Sequence, residues 1–356
     1  MLEQYSVTDA VTGRAYLSIG RSGSNTTHNY FTAMSWLNDS QRLVATVNVD
    51  PKGTRGDYVL YDLQTGRTEP LPEDVRWGGG AVSFGNILYY LKDGGIRGYD
   101  PAKVDDFQVY ASPDKEFFGP LSVTNDGRML GVFWKSGEDW SIGRLEAATG
   151  RLLETLTPGF AKPYSMANHA MINPVEDNLI FFAHEGTTQF IPDRIWLWDI
   201  RQHGRETNSG AANPYRQRSM PDGQLGEYIG HEAWSWDGER LYFVKYSSSP
   251  LAPAGICYVT RQGTEFIHVN GDYRHWHVCS SPDGKWTVSD TEADGGTSSH
   301  IVLTEVATGK AEVLCTVKRW PNHPGHPHPS FSPDSRKVTF TCADENNCLR
   351  IGCMEI

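Results

Sequence analysis

Histidines form the most chemically suggestive pattern in this 356-residue chain. The run from His323 to His328 holds three imidazoles within six residues, and His326 lies two positions before His328. On a β-strand, residues i and i+2 point to the same face, so those two side chains would lie side by side. Neutral imidazole is a good ligand for zinc, manganese, iron, nickel and copper. With His277 added, the cluster predicts a divalent-metal site made by His277, His323, His326 and His328.

Further histidines occupy equivalent places in a sequence repeat. His28, His169, His231 and His277 each stand shortly before a polar turn or the segment that leads to it. In a β-propeller that segment is the innermost strand of a blade, which lines the central channel. Histidines that are far apart in sequence would therefore meet around one axis.

The repeat is a short polar turn followed by an apolar strand. Five copies are Asp-Gly or Asp-Ser turns and two are degenerate; they contain Asp39, Asn86, Asp126, Asp177, Asp237, Asp283 and Asp334. Their mean spacing of about 49 residues, with four strands per unit, is typical of propeller blades. We therefore predict an all-β chain that forms a single seven-bladed β-propeller domain over residues 1–356.

The two ends of the chain are predicted to pair. The seventh repeat stops at Ile356 before its later turn, whereas a turn of that kind, Thr12-Gly13, occurs near the start. We predict that residues 1–19 supply the missing outer strand of the last blade, which closes the ring and removes a free sheet edge. Residues 201–228 are polar and punctuated by Gly and Pro, and we interpret them as a loop inserted within the repeat.

Composition argues against several classes of function. Lys and Arg number 32 against 43 Asp and Glu, so the net charge is −11, which argues against nucleic-acid binding. No apolar run reaches the ~18 residues of a membrane span, and the first residues lack the features of a secretory signal. None of the six cysteines forms a C-x-x-C pair. We therefore predict buried, reduced thiols in a cytoplasmic protein, with a Cys342–Cys348 disulfide as the lesser alternative. The oligomeric state is left open.

Taken together, several segments resemble the oligogalacturonate lyases, a family of seven-bladed propellers that act on pectin fragments. The matching pieces occur in the family's order from about residue 25 to the end of the chain: His169-Ala-Met-Ile-Asn-Pro, His184-Glu-Gly, Arg194-Ile-Trp, His231-Glu-Ala-Trp, His277-Val-Cys-Ser-Ser-Pro-Asp-Gly and His326-Pro-His328-Pro-Ser-Phe. The combined string is far more specific than any single piece, because Asp-Gly turns alone occur in many propellers.

The resemblance implies a site and its cofactor. It implies a manganese ion held by His277, His326 and His328. The family's fourth ligand, a glutamine, falls on His323, so the site here would have four histidines, and an extra nitrogen donor favours later transition metals. It also implies His231 as the catalytic base and Arg194 as the catalytic arginine.

The implied reaction is β-elimination at a uronate ring of a short oligogalacturonide, which gives a 4,5-unsaturated product. A divalent cation would offset the carboxylate charge beside C5, and a histidine with a pKa near neutrality would take the C5 proton. Because the chain is acidic overall, cationic groups must gather at the channel mouth to attract an acidic oligosaccharide. The candidates are Arg194, the metal, and Arg274 or Arg319. We predict that His169, His184 and Arg274 bind substrate.

Two alternatives stay open. The substitution at His323 and the 201–228 stretch would also suit a propeller lyase for a different uronate linkage. A non-catalytic TolB-like propeller that binds a protein or glycan is the other alternative. Convergent histidines argue against this last reading, since a scaffold has no need of them.

Overall fold

Strands make up most of the residues that the computed structural model describes, which are 2–202, 210–292 and 296–356. Seven sheets surround a common axis as the blades of a β-propeller, which confirms the fold predicted from the repeat. Within these residues two single-turn 3-10 helices occur, Thr188–Phe190 and Ile200–Gln202. Neither is long or apolar enough to cross a membrane.

The strands follow one another blade by blade. The chain begins with β1 (Glu3–Thr8) and β2 (Ala15–Gly20). Blade 1 comprises β3 (Arg42–Val47), β4 (Arg55–Asp62), β5 (Thr68–Pro70) and β6 (Val75–Arg76). Blade 2 comprises β7 (Ala81–Val82), β8 (Leu88–Lys92), β9 (Gly95–Asp100) and β10 (Asp105–Tyr110). Blade 3 comprises β11 (Glu116–Val123), β12 (Met129–Ser136), β13 (Asp139–Glu146) and β14 (Arg151–Leu156). Blade 4 comprises β15 (Met166–Ile172), β16 (Leu179–Glu185), β17 (Ile195–Asp199) and β18 (Ala211–Tyr215). Blade 5 comprises β19 (Ile229–Trp234), β20 (Arg240–Lys245), β21 (Gly255–Thr260) and β22 (Phe266–Asn270). Blade 6 comprises β23 (His275–Ser280), β24 (Trp286–Thr291), β25 (Ser298–Glu305) and β26 (Ala311–Lys318). Blade 7 contains β27 (Ser330–Phe331), β28 (Lys337–Ala343) and β29 (Leu349–Glu355).

Each blade is buried on both faces, which explains its continuous apolar strands. In β20, Leu241 and Phe243 pack toward blade 4, whereas Tyr242 and Val244 pack with Val278 of blade 6. Successive side chains of a strand point to opposite faces, so a blade between two neighbours needs apolar residues at both. The core is therefore a series of layers between blades.

The predicted ring closure is confirmed, and it uses two strands rather than one. β2 pairs antiparallel with β29, and β1 pairs with β2, so blade 7 has the order β1-β2-β29-β28-β27. The buried Arg350 of β29 donates from Nε to Ser18 Oγ at 2.8 Å and from Nη2 to the Glu3 carbonyl at 3.1 Å. Contacts between the two ends of the chain thus hold this blade together.

The predicted inserted loop at 201–228 needs a correction. Ala211–Tyr215 forms the outermost strand of blade 4, where Tyr215 pairs with Ile195. Pro214 concealed this strand, because proline cannot donate to a sheet ladder and is tolerated only at an edge such as this one. Residues 203–209 of the same stretch lie outside the described residues.

The central channel is closed at the end where the polar turns lie. The Trp236 ring packs on Phe84 of blade 2, with ring centroids 5.4 Å apart, and its Nε1 donates to the Ser280 carbonyl of blade 6. Asn125, after the inner strand of blade 3, donates to the Trp236 carbonyl. Between the inner strands there remains an apolar cavity of about 40 Å³, which includes Leu121 in its lining.

Candidate metal centre and active site

Irregularities in the inner strands aim the histidines at the channel. The pairing of β15 with β16 shifts between Asn168 and Met171, and that of β19 with β20 shifts between Gly230 and Ala233. His169 and His231, which lie at these shifts, have φ values of 51° and 58°. A β-bulge re-aims side chains, and positive φ in a residue other than glycine is uncommon and concentrated at functional sites. The backbone conformation therefore marks these histidines as functional candidates.

Three of the four predicted metal ligands form a compact buried group, which we call the histidine triad: His277, His326 and His328. One ring nitrogen of each lies within 4.8 Å of the others. Within the described residues, His277 Nε2, His326 Nδ1 and His328 Nε2 are buried without a hydrogen-bond partner. An unpaired buried polar atom costs about 1–3 kcal/mol, so three in one group need a common partner. Nitrogen donors placed in this way fit a divalent transition-metal ion.

The remaining nitrogens of two triad members are fixed by hydrogen bonds. His277 Nδ1 lies 2.8 Å from Asp290 Oδ2, and the His277 backbone N–H donates to Oδ1 of the same carboxylate at 2.7 Å. His326 Nε2 lies 2.9 Å from the Pro321 carbonyl, to which it donates. Such partners select the tautomer that presents a lone pair to a metal. The sequence analysis did not identify Asp290. The only clue to its role is its position on the strand that pairs with the strand of His277.

The triad is held in the uncharged form. Burial, followed by the charges of neighbouring histidines, lowers the pKa of His277 and His328 well below 6.5. Both rings are therefore neutral near pH 7, and neutral imidazole is the form that binds a metal ion.

Replacement of Asp290 by asparagine should weaken metal binding. We expect Asp290→Asn to lower the affinity for Mn²⁺ by about 10–100-fold, the usual effect of losing a carboxylate that supports a histidine ligand. Titration with Mn²⁺ followed by electron paramagnetic resonance measures this affinity. Asp283→Asn, in the exposed turn at the other end of the same inner strand, is the control and should bind as the wild type does. Equal affinities of the two variants would contradict the role given to Asp290.

His323, the predicted fourth ligand, lies beside the triad rather than within it. Its ring centroid is 4.4 Å from that of His326 and 4.9 Å from that of His328. Its side chain is exposed, unlike those of the triad. The centroid of the Trp77 ring lies 5.8 Å from that of His323. His323 is thus a neighbour of the triad, and its role as a ligand stays a prediction.

His231, the predicted base, lies directly against the triad. Its ring centroid is 4.1 Å from that of His277, and its Nδ1 is 3.2 Å from the Tyr246 hydroxyl. Burial, and then the charges of His277 and Arg194, lower the pKa of His231 well below 6.5. The ring is therefore unprotonated and able to accept a proton, but its pKa is lower than the near-neutral value expected from the sequence, because the ring is buried. Tyr246, which the sequence analysis did not identify, can hold the ring orientation.

Arg194 differs from the free carboxylate clamp that the sequence suggested. It is 6% exposed, and its Nε donates to Glu232 Oε1 at 2.6 Å while Nη1 donates to Glu185 Oε1 at 2.8 Å. Burial opposes ionisation of Glu185, but the Arg194 charge outweighs it and lowers the pKa of Glu185 to about 2. The arginine charge is therefore already offset by two carboxylates. Because Glu232 follows His231, this ion pair also anchors the bulge that aims the base.

The three predicted substrate-binding residues have different surroundings. His169 is half-buried, and its ring stacks on that of Tyr30 with centroids 6.0 Å apart. His184 has both nitrogens occupied, by Asp193 Oδ1 at 2.8 Å and the Tyr164 carbonyl at 2.8 Å, so neither is available to a ligand. Arg274 is exposed but is paired with Glu292 at 2.9 Å. Of the three, only His169 lies near the histidine triad with a ring that remains available to substrate.

An aromatic pair that sequence reasoning missed lies among the histidines. The Tyr30 ring centroid is 4.6 Å from that of His328, and the Phe31 centroid is 5.0 Å from that of His277. Both residues closely follow His28, whose Nε2 lies 3.2 Å from the Pro327 carbonyl. The segment before β3 therefore contributes packing around the triad, while blade 6 and the segment before β27 contribute its nitrogens.

Comparison with known proteins agrees with the resemblance predicted from the sequence. No protein-family model matches the chain. The chain is 25% identical over 94% of its length to the oligogalacturonate lyase of Dickeya dadantii, covering 91% of that protein. It is also 25% identical, with the same coverage of each chain, to the oligogalacturonide lyase of Pectobacterium atrosepticum. A solved structure of an oligogalacturonate lyase in complex with manganese superimposes with a TM-score of 0.84, at 21% identity, over 100% of this chain and 96% of that one. The resemblance is confirmed.

Proposed function

We propose that this protein is a metal-dependent lyase that cleaves short oligogalacturonides by β-elimination to 4,5-unsaturated products. The observation that carries the proposal is the histidine triad, with unpartnered nitrogens and the unprotonated His231 beside it. Similarity along nearly the whole chain to proteins named oligogalacturonate lyase supports the substrate class. The fold shared with a manganese complex supports Mn²⁺ as the metal.

His277, His326 and His328 would hold the metal ion, with His323 as the proposed fourth ligand. When bound, a divalent cation acts as a Lewis acid that offsets the negative charge of the uronate carboxylate and makes the C5 proton more acidic. The protein's own contribution is to keep these rings neutral and oriented through Asp290 and the Pro321 carbonyl.

His231 takes the C5 proton in this mechanism. With Nδ1–H donated to the Tyr246 oxygen, Nε2 carries the lone pair that would accept the proton. The electrons of the C5–H bond form the C4–C5 double bond, and the C4–O bond breaks with its electron pair on the leaving oxygen. Arg194 makes three hydrogen bonds to Glu185 and Glu232 and has five N–H donors, so two can still meet substrate.

The test is the ultraviolet absorbance of the unsaturated product during incubation with digalacturonate and trigalacturonate. We expect absorbance to rise, to stop rising when EDTA removes the metal, and to rise again when Mn²⁺ is restored. No rise from a protein that retains metal would refute galacturonides as substrates and favour a different uronate linkage. No rise together with no bound metal would favour a non-catalytic propeller.

We further propose that the protein acts in the cytoplasm on oligomers already taken up. The six cysteines are free thiols and five of them are buried, an arrangement that suits a reducing compartment. Cys342 and Cys348, the pair considered for a disulfide, are unbonded. The net charge of −11 supports an absence of nucleic-acid partners.

A further inference from the structure

Arg319 is a buried arginine with few hydrogen-bond partners. It is 7% exposed, and its Nε is buried with no hydrogen-bond partner among the described residues. Among the described residues, the Arg319 side chain makes one hydrogen bond, and it is long: Nη1 donates to the Trp320 carbonyl at 3.5 Å. No carboxylate of the described residues approaches it closely enough to form an ion pair. Burial of a charged group with so few partners is costly, and an anionic partner would offset that cost.

Two other buried arginines have more hydrogen-bond partners than Arg319 has. Arg194 meets the carboxylates of Glu185 and Glu232. Arg350 donates to Ser18 Oγ at 2.8 Å and to the Glu3 carbonyl at 3.1 Å. Among the described residues, Arg319 has a single long side-chain hydrogen bond and is less well satisfied than either of these two.

Arg319 lies close to the histidine triad. It follows the last strand of blade 6 and stands two residues before Pro321, whose carbonyl accepts the hydrogen bond of His326. Burial and neighbouring histidines lower the pKa of His277, and the positive charge of Arg319 adds to the same effect. That charge acts on Asp290 and His326 as well. The guanidinium thus belongs electrostatically to the site.

Among the described residues, Arg319 differs from the other two candidate arginines because no carboxylate lies within ion-pair distance of it. Arg194 is offset by two glutamates, and Arg274 is paired with Glu292. Every ring of a galacturonide carries a carboxylate, and a metal ion beside one ring leaves the next carboxylate unmatched. We propose that Arg319 binds the carboxylate of the ring next to the one that reacts, and so makes the site specific for oligomers of uronates. This inference rests on the proposed function and deepens it.

The experiment compares Arg319→Gln with Lys318→Gln. Lys318 is the exposed neighbour of Arg319, so its replacement removes the same charge one position away. With trigalacturonate we expect Arg319→Gln to raise KM by about 10-fold or more with kcat within about threefold, because a charge-assisted pair is lost. The affinity for Mn²⁺ should not change, and Lys318→Gln should match the wild type in every measurement.

Methyl esterification of the substrate identifies the carboxylate. The ester at the ring next to the reacting one should raise the KM of the wild type and have little further effect on Arg319→Gln. If Arg319→Gln does not fold, Arg319→Lys should raise KM about threefold, since an ammonium cannot make two parallel hydrogen bonds to a carboxylate.

Two results would overturn the proposal while the proposed function stands. One is an unchanged KM in Arg319→Gln, or in Arg319→Lys where that variant replaces it. The other is an altered affinity for Mn²⁺ with unchanged KM, which would mean that Arg319 balances the charge of Asp290. If the wild type neither cleaves nor binds any galacturonide, the proposed function itself fails, and this inference fails with it.

Discussion

Replacement of His231 by alanine is expected to lower kcat by about 10³-fold while the bound metal remains, which fits the 10²–10⁴-fold usually supplied by a general base. His231 is the unprotonated ring closest to the triad, 4.1 Å from His277 between centroids, yet it is not one of the three mutually close nitrogens. Its loss should therefore remove the proton acceptor and spare the metal ligands. Product absorbance gives kcat, and elemental analysis of the purified variant gives the metal content.

His268→Ala is the matched control for His231→Ala. His268 lies on the outer strand of the same blade, and its Nε2 lies 2.9 Å from the Ala254 carbonyl. We expect this variant to keep the wild-type kcat. Near-normal turnover by His231→Ala would show that another group takes the proton. Loss of metal from His231→Ala would show instead that His231 is a ligand.

Replacement of His326 by alanine should abolish both metal binding and turnover. His326 supplies one of three buried nitrogens within 4.8 Å of one another, and a two-histidine remnant has too few donors for a stable site. We expect the affinity for Mn²⁺ to fall by more than about 100-fold and turnover to fall below detection. Titration with Mn²⁺ and the product assay measure the two losses on one preparation.

His300→Ala provides the comparison for His326→Ala. His300 belongs to blade 6, where its Nδ1 lies 2.8 Å from Thr316 Oγ1, away from the triad. This variant should retain both metal and activity. Circular dichroism should show that His326→Ala keeps the strand content of the wild type. Full metal occupancy and turnover in a folded His326→Ala protein would contradict the triad as the metal site.

The fold could be predicted because the sequence pattern that specifies it is short and repeats along the chain. Turns such as Asp237-Gly238 recur at the blade period, and apolar strands follow them, so blade number and ring closure could be inferred without contacts. The outer strand at Ala211–Tyr215 was missed because Pro214 interrupts its pattern. The second N-terminal strand, Glu3–Thr8, was missed because it lies at an exposed sheet edge and carries only two apolar residues, which give a weak strand signal.

The sequence predicted the histidines of the site but not the acidic residues that contact the site. His277, His326 and His328 were found because their residue type and spacing suggest ligation, and the structure brings them together. The carboxylate of Asp290 reaches His277 through cross-strand pairing, which no short motif encodes. For the same reason the sequence could not reveal that Glu232 and a second glutamate already neutralise the arginine implied as catalytic.

The closure of the channel by Trp236 has a mechanical consequence. The histidines stand at the starts of the inner strands, and Trp236, five residues beyond His231, blocks the opposite end. The ring is therefore a blind pit with a single mouth, and a sugar chain cannot be threaded through it. A molecule that reaches the histidines through this mouth must leave by the same opening. For the proposed lyase reaction we therefore expect distributive cleavage, in which each product is released before the next chain binds.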